Sequence, residues 1–154
     1  IEPSNARRVV RALEVTLGSG QPFSSFGPGL DAYPPTAFRL AGVWLPRQAV
    51  GYRIANRFAA QMSAGFLDEV RALAGRPEGL SRTARQALGY RELLGHVERG
   101  TPVHECVEVA VRRTREFARR QRSWFRRDPR ITWFATARNP VAVLPALLGE
   151  WQAP

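Results

Sequence analysis

The chain has 154 residues, of which 44% are hydrophobic, and 23 basic residues against 13 acidic ones leave a net charge of +10. This hydrophobic content suffices for a packed core and excludes wholesale disorder, and no apolar run reaches the roughly 18 residues of a membrane span. The charge indicates a polyanionic partner, either a nucleic acid or an anionic membrane surface.

The sequence has few residues that could bind a metal or form a disulfide. Cys106 is the only cysteine, which excludes an internal disulfide and fits a reducing cytoplasm. His96, His104 and Cys106 lack the spacing and the second ligand pair of a zinc site. We therefore predict a cytoplasmic protein without a metal site in this chain.

All the basic residues are arginine, and the sequence does not begin with methionine. A phosphate-binding loop of the Gly-x-x-x-x-Gly-Lys-Ser/Thr type needs its lysine on the phosphates. The chain therefore cannot contain such a loop. We also expect that Ile1 is not the natural start of the protein.

In the first half of the chain, apolar periodicity predicts a helix at residues 5–17, followed by a glycine- and proline-rich loop or linker at 21–36. A short apolar run at 38–45, ended by a proline, is typical of a buried strand. A helix at 47–64 and a short helix at 67–73 follow.

In the second half, Ser81 or Thr83 is predicted to cap a helix that extends through Leu94. Residues 103–127 form the longest predicted helix, and residues 131–134 are typical of a short final strand. A weak helix is predicted at 140–148. Two short strands do not make an independent sheet, so we expect an α/β domain whose other strands lie outside this chain.

The helix at 103–127 separates into two faces when its residues are placed at about 100° intervals. The apolar face, which includes Phe117, Trp124 and Phe125, is predicted to dock on a core. The opposite face carries eight arginines: Arg112, Arg113, Arg115, Arg119, Arg120, Arg122, Arg126 and Arg127.

No acidic residue lies between Glu116 and Asp128, so the arginine face repels itself unless a polyanion binds it. One alternative is an ordinary solvated face in an arginine-rich proteome. Another is a membrane-surface helix, which the predicted docking of the apolar face disfavours.

Four stretches stand out as a set: IEPSNARRVVRALEV (1–15), YRIANRFAAQMSAGFLDEV (52–70), TARQALGYRELL (83–94) and TREFARRQRSWFRRDPRITWF (114–134). In order and spacing they resemble the C-terminal half of the tRNA dimethylallyltransferase (isopentenyl-diphosphate:tRNA transferase) family, over residues 1–135. The resemblance implies an α/β fold, the C-terminal part of a P-loop-type core with a parallel sheet. This part would be mostly α-helical with two short strands.

The resemblance also implies a domain organisation. Residues 1–20 would be a helix at the end of the helical insertion region, and residues 21–36 a loop or linker. Residues 37–135 would be the C-terminal half of the transferase core, including the arginine helix at 103–127. Residues 136–154 form a tail that matches no family motif.

The activity implied is transfer of a dimethylallyl group from dimethylallyl diphosphate to N6 of the adenine next to the anticodon. The implied partners are a tRNA anticodon stem-loop and dimethylallyl diphosphate, without a membrane, and the implied state is a monomer. Mg²⁺ would be bound mainly by the family's N-terminal half. Because the family's phosphate loop and general-base aspartate precede Ile1, we expect this chain alone to be inactive.

Arg57, in the stretch RIANRF, matches the family arginine that faces the diphosphate, so the resemblance assigns it the catalytic role of stabilising the departing charge. Arg53, one turn earlier, is a weaker candidate. Without the resemblance, both residues read as ordinary surface arginines of an amphipathic helix.

The resemblance assigns tRNA contacts to three segments. They comprise Arg7, Arg8 and Arg11; then Gln86, Ala87, Leu88, Gly89, Tyr90 and Arg91; and then Arg119, Arg120, Gln121, Arg122, Ser123, Trp124 and Arg126. For Tyr90, a core position is an equal alternative. For the whole chain, the alternative is a non-catalytic, arginine-rich RNA-binding module.

Overall fold

The computed structural model describes residues 2–27, 29 and 32–152. The α-helices are α1 (Ala6–Ser19), α2 (Arg47–Ser63), α3 (Phe66–Ala74), α4 (Tyr90–Arg99), α5 (Val103–Phe125) and α6 (Leu144–Gln152). The strands are β1 (Leu40–Trp44) and β2 (Ile131–Ala135), and short 3₁₀ turns lie at Phe23–Phe26, Ala84–Gln86 and Pro140–Val143. The described chain is thus mostly helical with two short strands, as predicted.

Some predicted segments fall partly outside the described residues. These are residues 28, 30 and 31 of the predicted loop, residues 153–154 of the predicted tail, and Ile1. The division of the chain at residues 20, 36 and 135 stays a prediction.

The two strands pair in parallel, with Leu40 opposite Ile131 and Trp44 opposite Ala135. Parallel neighbours need a long crossover, which here contains α2 to α5. The parallel sheet is therefore confirmed. The expectation of a buried first strand is wrong in part, because β1 is only half-buried and Val43 is 39% exposed.

The two strands approach each other closely where the ring of Trp133 packs over Gly42. A Cβ atom at Gly42 would lie 2.6 Å from the indole ring of Trp133 on the neighbouring strand. The Trp133 ring therefore occupies the space that a side chain at position 42 would need, and only glycine leaves the ring in this position.

The core lies between helices and not on the sheet. It is one buried cluster contributed by α2, α3, α4 and α5, and its members are Ile54, Phe58, Phe66, Val70, Leu93, Leu94, Cys106 and Ala110. Leu93 and Val70 are fully buried. The core thus fixes α4 and the first half of α5 against α2 and α3. The predicted contact segment at 86–91 ends at the start of α4, and the segment at 119–126 lies beyond the buried half of α5.

The helix predicted to begin at Ser81 or Thr83 begins instead at Tyr90. The Ser81 hydroxyl accepts a hydrogen bond from the Ala84 N–H (3.2 Å), but this closes only a short 3₁₀ turn. Gly89 then has φ +94°, a value outside the helical range, so no helix can run through it from Ser81. Helix α4 starts directly after Gly89. Ala87 and Leu88 therefore lie in a loop and not on a helix.

Helix α1 keeps its apolar residues at the surface, since Val10, Leu13 and Leu17 are 53%, 55% and 82% exposed. Helix α6 is tied to the sheet by Arg39, whose guanidinium donates to the carbonyl of Glu150 (3.0 Å). Of the helices built from described residues, none is both long and apolar enough to cross a bilayer.

Candidate nucleic-acid interface

A cleft of about 1740 Å³ opens between the sheet, the start of α2 and the second half of α5. Among the described residues, eight arginines line it, from α2, from α5 and from the residues next to β1 and α5, and they include Arg39, Arg47, Arg119 and Arg126. The acidic residues Glu116 and Asp128 also line it, and the carboxylate of Asp128 is paired with Arg130 (2.7 Å), which holds the pKa of Asp128 below its usual value. The cleft is therefore strongly positive, as a polyanion site requires.

The arginine face of α5 is less uniform than the helical periodicity indicates. Arg113 donates to the carboxylate of Glu92 (2.5 Å), and Arg115 donates to the carbonyl of Gly51 (3.2 Å). Arg122 is half-buried against β1, whereas Arg119 and Arg120 are exposed. These three guanidinium groups thus have protein partners, and the binding of a ligand by this face stays a prediction.

The apolar face of α5 docks only along its first half. Cys106, Ala110 and Thr114 are buried, but Phe117, Trp124 and Phe125 are 43%, 58% and 42% exposed. The predicted docking of the whole face is wrong, because the aromatic side chains of the second half of α5 stay exposed. The premise that disfavoured a membrane-surface helix therefore fails for the second half of α5.

Exposed aromatic rings beside exposed arginines suit RNA as well as lipid. The rings of Trp124 and Phe125 meet edge to face with their centres 5.0 Å apart. Unstacked bases stack on such rings while neighbouring arginines bind the phosphates. The chemistry of the end of α5 is therefore compatible with single-stranded RNA.

Arg122 lies flat on a tryptophan. Its guanidinium carbon is 3.1 Å from the ring centre of Trp44, and its Nη1 donates a long hydrogen bond to the carbonyl of Leu45 (3.5 Å). Arg126 approaches the same ring at 5.5 Å. Burial, followed by the neighbouring charges of Arg126 and Arg47, lowers the pKa of Arg122 from its ordinary value.

The predicted contact segment at 86–91 is held by a residue that the sequence did not single out. Glu92 is only 5% exposed, and one of its oxygens accepts the N–H of Gly89 (2.9 Å) while the other accepts from Arg113. The carboxylate thus joins the loop before α4 to α5. The spacing of glycine and glutamate, three residues apart at a helix start, resembles a capping box and could have revealed this role.

The backbone at Gly89 lies close to the protein's own core. A Cβ atom at this position would lie 3.0 Å from the ring of Phe66. Gly89 is buried, while Gln86, Ala87, Leu88 and Arg91 are exposed.

Both the hydroxyl and the ring of Tyr90 contact other side chains of the protein. Its hydroxyl donates to the carboxylate of Glu69 (2.6 Å), and its ring meets Phe66 edge to face at 5.1 Å. The hydrogen bond to Glu69 raises the pKa of Tyr90. These contacts favour the core alternative, and a contact with RNA at Tyr90 stays a prediction.

Arg57 is exposed on α2 and lines a second hollow of about 380 Å³. Gln61, Leu88, Tyr90 and Phe117 line the same hollow. The fold therefore brings Arg57 together with the segment at 86–91, and the large cleft holds the segment at 119–126. Arg7, Arg8 and Arg11 are exposed on α1, from which no described residue lines either hollow.

The described residues do not form a Mg²⁺ site. Among them, no group of three or more histidine, cysteine, aspartate or glutamate side chains is gathered where a metal ion could bind. Mg²⁺ is usually held by one or two carboxylates together with substrate phosphates. The carboxylate at the Arg57 hollow, that of Glu69, already accepts the hydroxyl of Tyr90. No step below is therefore assigned to Mg²⁺.

Comparison with known proteins identifies the class. The family model described as IPP transferase matches residues 1–128. A tRNA dimethylallyltransferase from Streptomyces avermitilis is 43% identical over 144 residues, covering 94% of this chain and 46% of the relative.

Two crystal structures share the fold. One is a tRNA delta(2)-isopentenylpyrophosphate transferase from Staphylococcus epidermidis (TM-score 0.68, 25% identity), in which the match covers 98% of this chain and 50% of that one. The other is a tRNA isopentenylpyrophosphate transferase from Bacillus halodurans (TM-score 0.62, 26% identity, 97% of this chain and 46% of that one).

The fold is thus that of a transferase of the α/β class. The chain belongs to the IPP transferase family, and it spans about half the length of the curated relatives it matches.

Proposed function

We propose that this chain serves in tRNA prenylation, the transfer of a dimethylallyl group from dimethylallyl diphosphate to N6 of the adenine beside the anticodon. The observation that carries the proposal is the arginine- and aromatic-lined cleft along α5, in a chain of the IPP transferase family. The chain would supply a tRNA-binding surface and an arginine that faces the diphosphate. The family membership favours RNA over a lipid surface as the partner of this cleft.

In this reaction the bond between the allylic carbon and the diphosphate oxygen breaks, a carbon–nitrogen bond forms at N6, and N6 loses a proton. Negative charge develops on the departing diphosphate, and a fixed guanidinium stabilises it. Arg57 is proposed for this role, because its exposed guanidinium lies in a hollow beside Gln61. The sequence has no lysine for a phosphate loop, so we propose that the chain alone is inactive.

The RNA surface is proposed to include the exposed part of the segment at 119–126. Arg119, Arg120 and Arg126 suit phosphate oxygens, and Trp124 suits an unstacked base. Chemistry at N6 requires the adenine to leave its stack, so a base-stacking ring near the phosphate contacts supports this arrangement. The segments at Arg7–Arg11 and Gln86–Arg91 are proposed as further contacts with the anticodon stem-loop.

Replacing Arg57 with alanine in the full-length gene product is expected to lower turnover by about 10²–10³-fold, because the leaving charge loses its donor. The affinity for tRNA should change less than about twofold, since the proposed phosphate contacts lie in the other cleft. Single-turnover kinetics and filter binding with the same tRNA measure both quantities.

Arg53→Ala is the matched control for Arg57→Ala, because Arg53 lies one turn earlier on α2 and is also exposed. We expect its loss of turnover to be clearly smaller. The alternative, a non-catalytic RNA-binding module, predicts no effect of Arg57→Ala beyond a uniform loss of affinity, and that result would reject the transferase role of Arg57.

Replacing Arg119 with alanine is expected to weaken binding to all tRNA sequences alike. It should also reduce the slope of log K against log salt by about one, because one phosphate contact is lost. The control is Arg76→Ala, an exposed arginine in the loop after α3, which should leave the slope unchanged. An unchanged slope in Arg119→Ala would remove Arg119 from the phosphate-binding surface.

A further inference from the structure

The last two turns of α5 have little apolar packing, yet they carry most of the third predicted contact segment. Trp124 and Phe125 are 58% and 42% exposed. A helix end without tertiary contacts frays, since most helical stability comes from packing. What holds this end in place therefore decides where its exposed arginines point.

Arg122 makes the contacts that tie this end to the sheet. Its guanidinium lies 3.1 Å from the ring centre of Trp44, and its Nη1 points to the carbonyl of Leu45 at 3.5 Å. It is half-buried, whereas Arg119, Arg120 and Arg126 in the same segment are exposed. One N–H of its Nη1 is directed at the Leu45 carbonyl and the side chain is half-buried, so this guanidinium has fewer accessible N–H groups to offer to a phosphate.

Trp44 is itself held in position by contacts other than the one with Arg122. Its ring meets Trp133 edge to face at 5.9 Å, and Trp133 in turn covers Gly42, where a Cβ atom would be 2.6 Å away. Gly42, Trp133, Trp44 and Arg122 thus form one continuous series of contacts that joins β1, β2 and α5. The planar guanidinium suits the face of the Trp44 ring better than the compact ammonium of lysine.

We propose that Arg122 is a positioning residue that, through Trp44, holds the end of α5 so that Arg119, Arg120 and Arg126 face the RNA together. This inference rests on the proposed binding of tRNA, and it removes Arg122 from the direct phosphate contacts. Burial, followed by the like charges of Arg126 and Arg47, lowers the pKa of Arg122, so the contact with Trp44 must offset the unfavourable surroundings of this charge.

The test uses Arg122→Lys, Trp44→Leu and the double variant in the full-length gene product. Each single change should weaken tRNA binding by about fivefold, the equivalent of one cation–π contact. The double variant should be no weaker than Trp44→Leu, because that change already removes the contact of Arg122. The salt slope should stay at the wild-type value in all three, whereas Arg119→Ala lowers it by about one.

Hydrogen exchange without RNA supplies a second readout. Amides of residues 119–125 should exchange faster in Arg122→Lys and Trp44→Leu, but not in Arg119→Ala. A third variant, Arg122→Met, keeps the side-chain length and removes the charge, and its salt slope should also equal that of the wild type.

Three results would overturn the positioning role. They are additive losses in the double variant, a salt slope lowered by about one in Arg122→Met, and unchanged exchange at residues 119–125 in Arg122→Lys. If the wild-type protein binds tRNA and any of these is found, only this inference fails. If the wild-type protein does not bind tRNA at all, the proposed function fails, and the positioning role in RNA binding fails with it.

Discussion

Leu93→Ala is expected to lower the free energy of unfolding of the full-length gene product by about 3–5 kcal/mol, as deletion of a fully buried leucine side chain does. Leu93 is 0% exposed at the centre of the cluster that α2, α3, α4 and α5 share. Its loss leaves a cavity that these helices can close only in part by moving together. Urea unfolding measures the effect as a lower midpoint at an unchanged m-value.

The matched control is Leu17→Ala, because Leu17 is 82% exposed on α1. The same chemical deletion there should change the free energy of unfolding by less than about 0.5 kcal/mol. A loss below about 1 kcal/mol for Leu93→Ala would mean that α4 does not form the centre of this core.

Gly89→Ala is expected to destabilise the same protein by about 2–4 kcal/mol, from two separate causes. The first is backbone strain, because Gly89 has φ +94°, where a side chain costs roughly 1–2 kcal/mol. The second is overlap, because the new Cβ atom would lie 3.0 Å from Phe66 and 3.4 Å from Phe58, which are both buried. Thermal or urea unfolding measures the sum.

Gly79→Ala separates the two causes. Gly79 also has a positive φ, +61°, but a Cβ atom there would have nothing within 4 Å. This control should therefore lose only the backbone part, roughly 1 kcal/mol. Equal losses for the two variants would show that Phe58 and Phe66 move away easily, and that the steric part of the argument is wrong.

The structure around Gly89 also shows why the start of α4 was predicted wrongly. Ser81 and Thr83 are good capping residues, and the residues after them have helical spacing, so a local pattern favoured an earlier start. The true start depends on Glu92, which accepts the N–H of Gly89 and also pairs with Arg113 on another helix. A contact between two helices cannot be seen in a local window.

Local patterns succeeded where the decisive residues are neighbours in sequence. Helix α2 begins directly after Pro46, as predicted, and buries Ile54 and Phe58. The final strand and the start of α5 lie within one residue of their predicted positions. In each case proline, glycine or apolar spacing acts within a few residues of the element it defines.

In the candidate site, too, some features could be read from neighbouring residues and others depended on the fold. The stretch RIANRF marked Arg57 as a candidate. Nothing in that stretch showed that Arg57 shares a hollow with Leu88 and Tyr90, or that Arg119 lines a different cleft. Likewise, helical periodicity placed Arg122 among the arginines that point outward. In the structure Arg122 is half-buried, because it packs on Trp44, which lies on a strand far away in the sequence.

By itself, the sequence determined the helical and strand segments, the charge asymmetry of α5, and the family, because each depends on the order and spacing of residues along the chain. Only the tertiary structure decided which arginines face the solvent and which pack on the protein. Glu92, Gly51 and Trp44 partner Arg113, Arg115 and Arg122 from other elements. The availability of a guanidinium depends on what the fold brings next to it, and no spacing within its own helix encodes that neighbour.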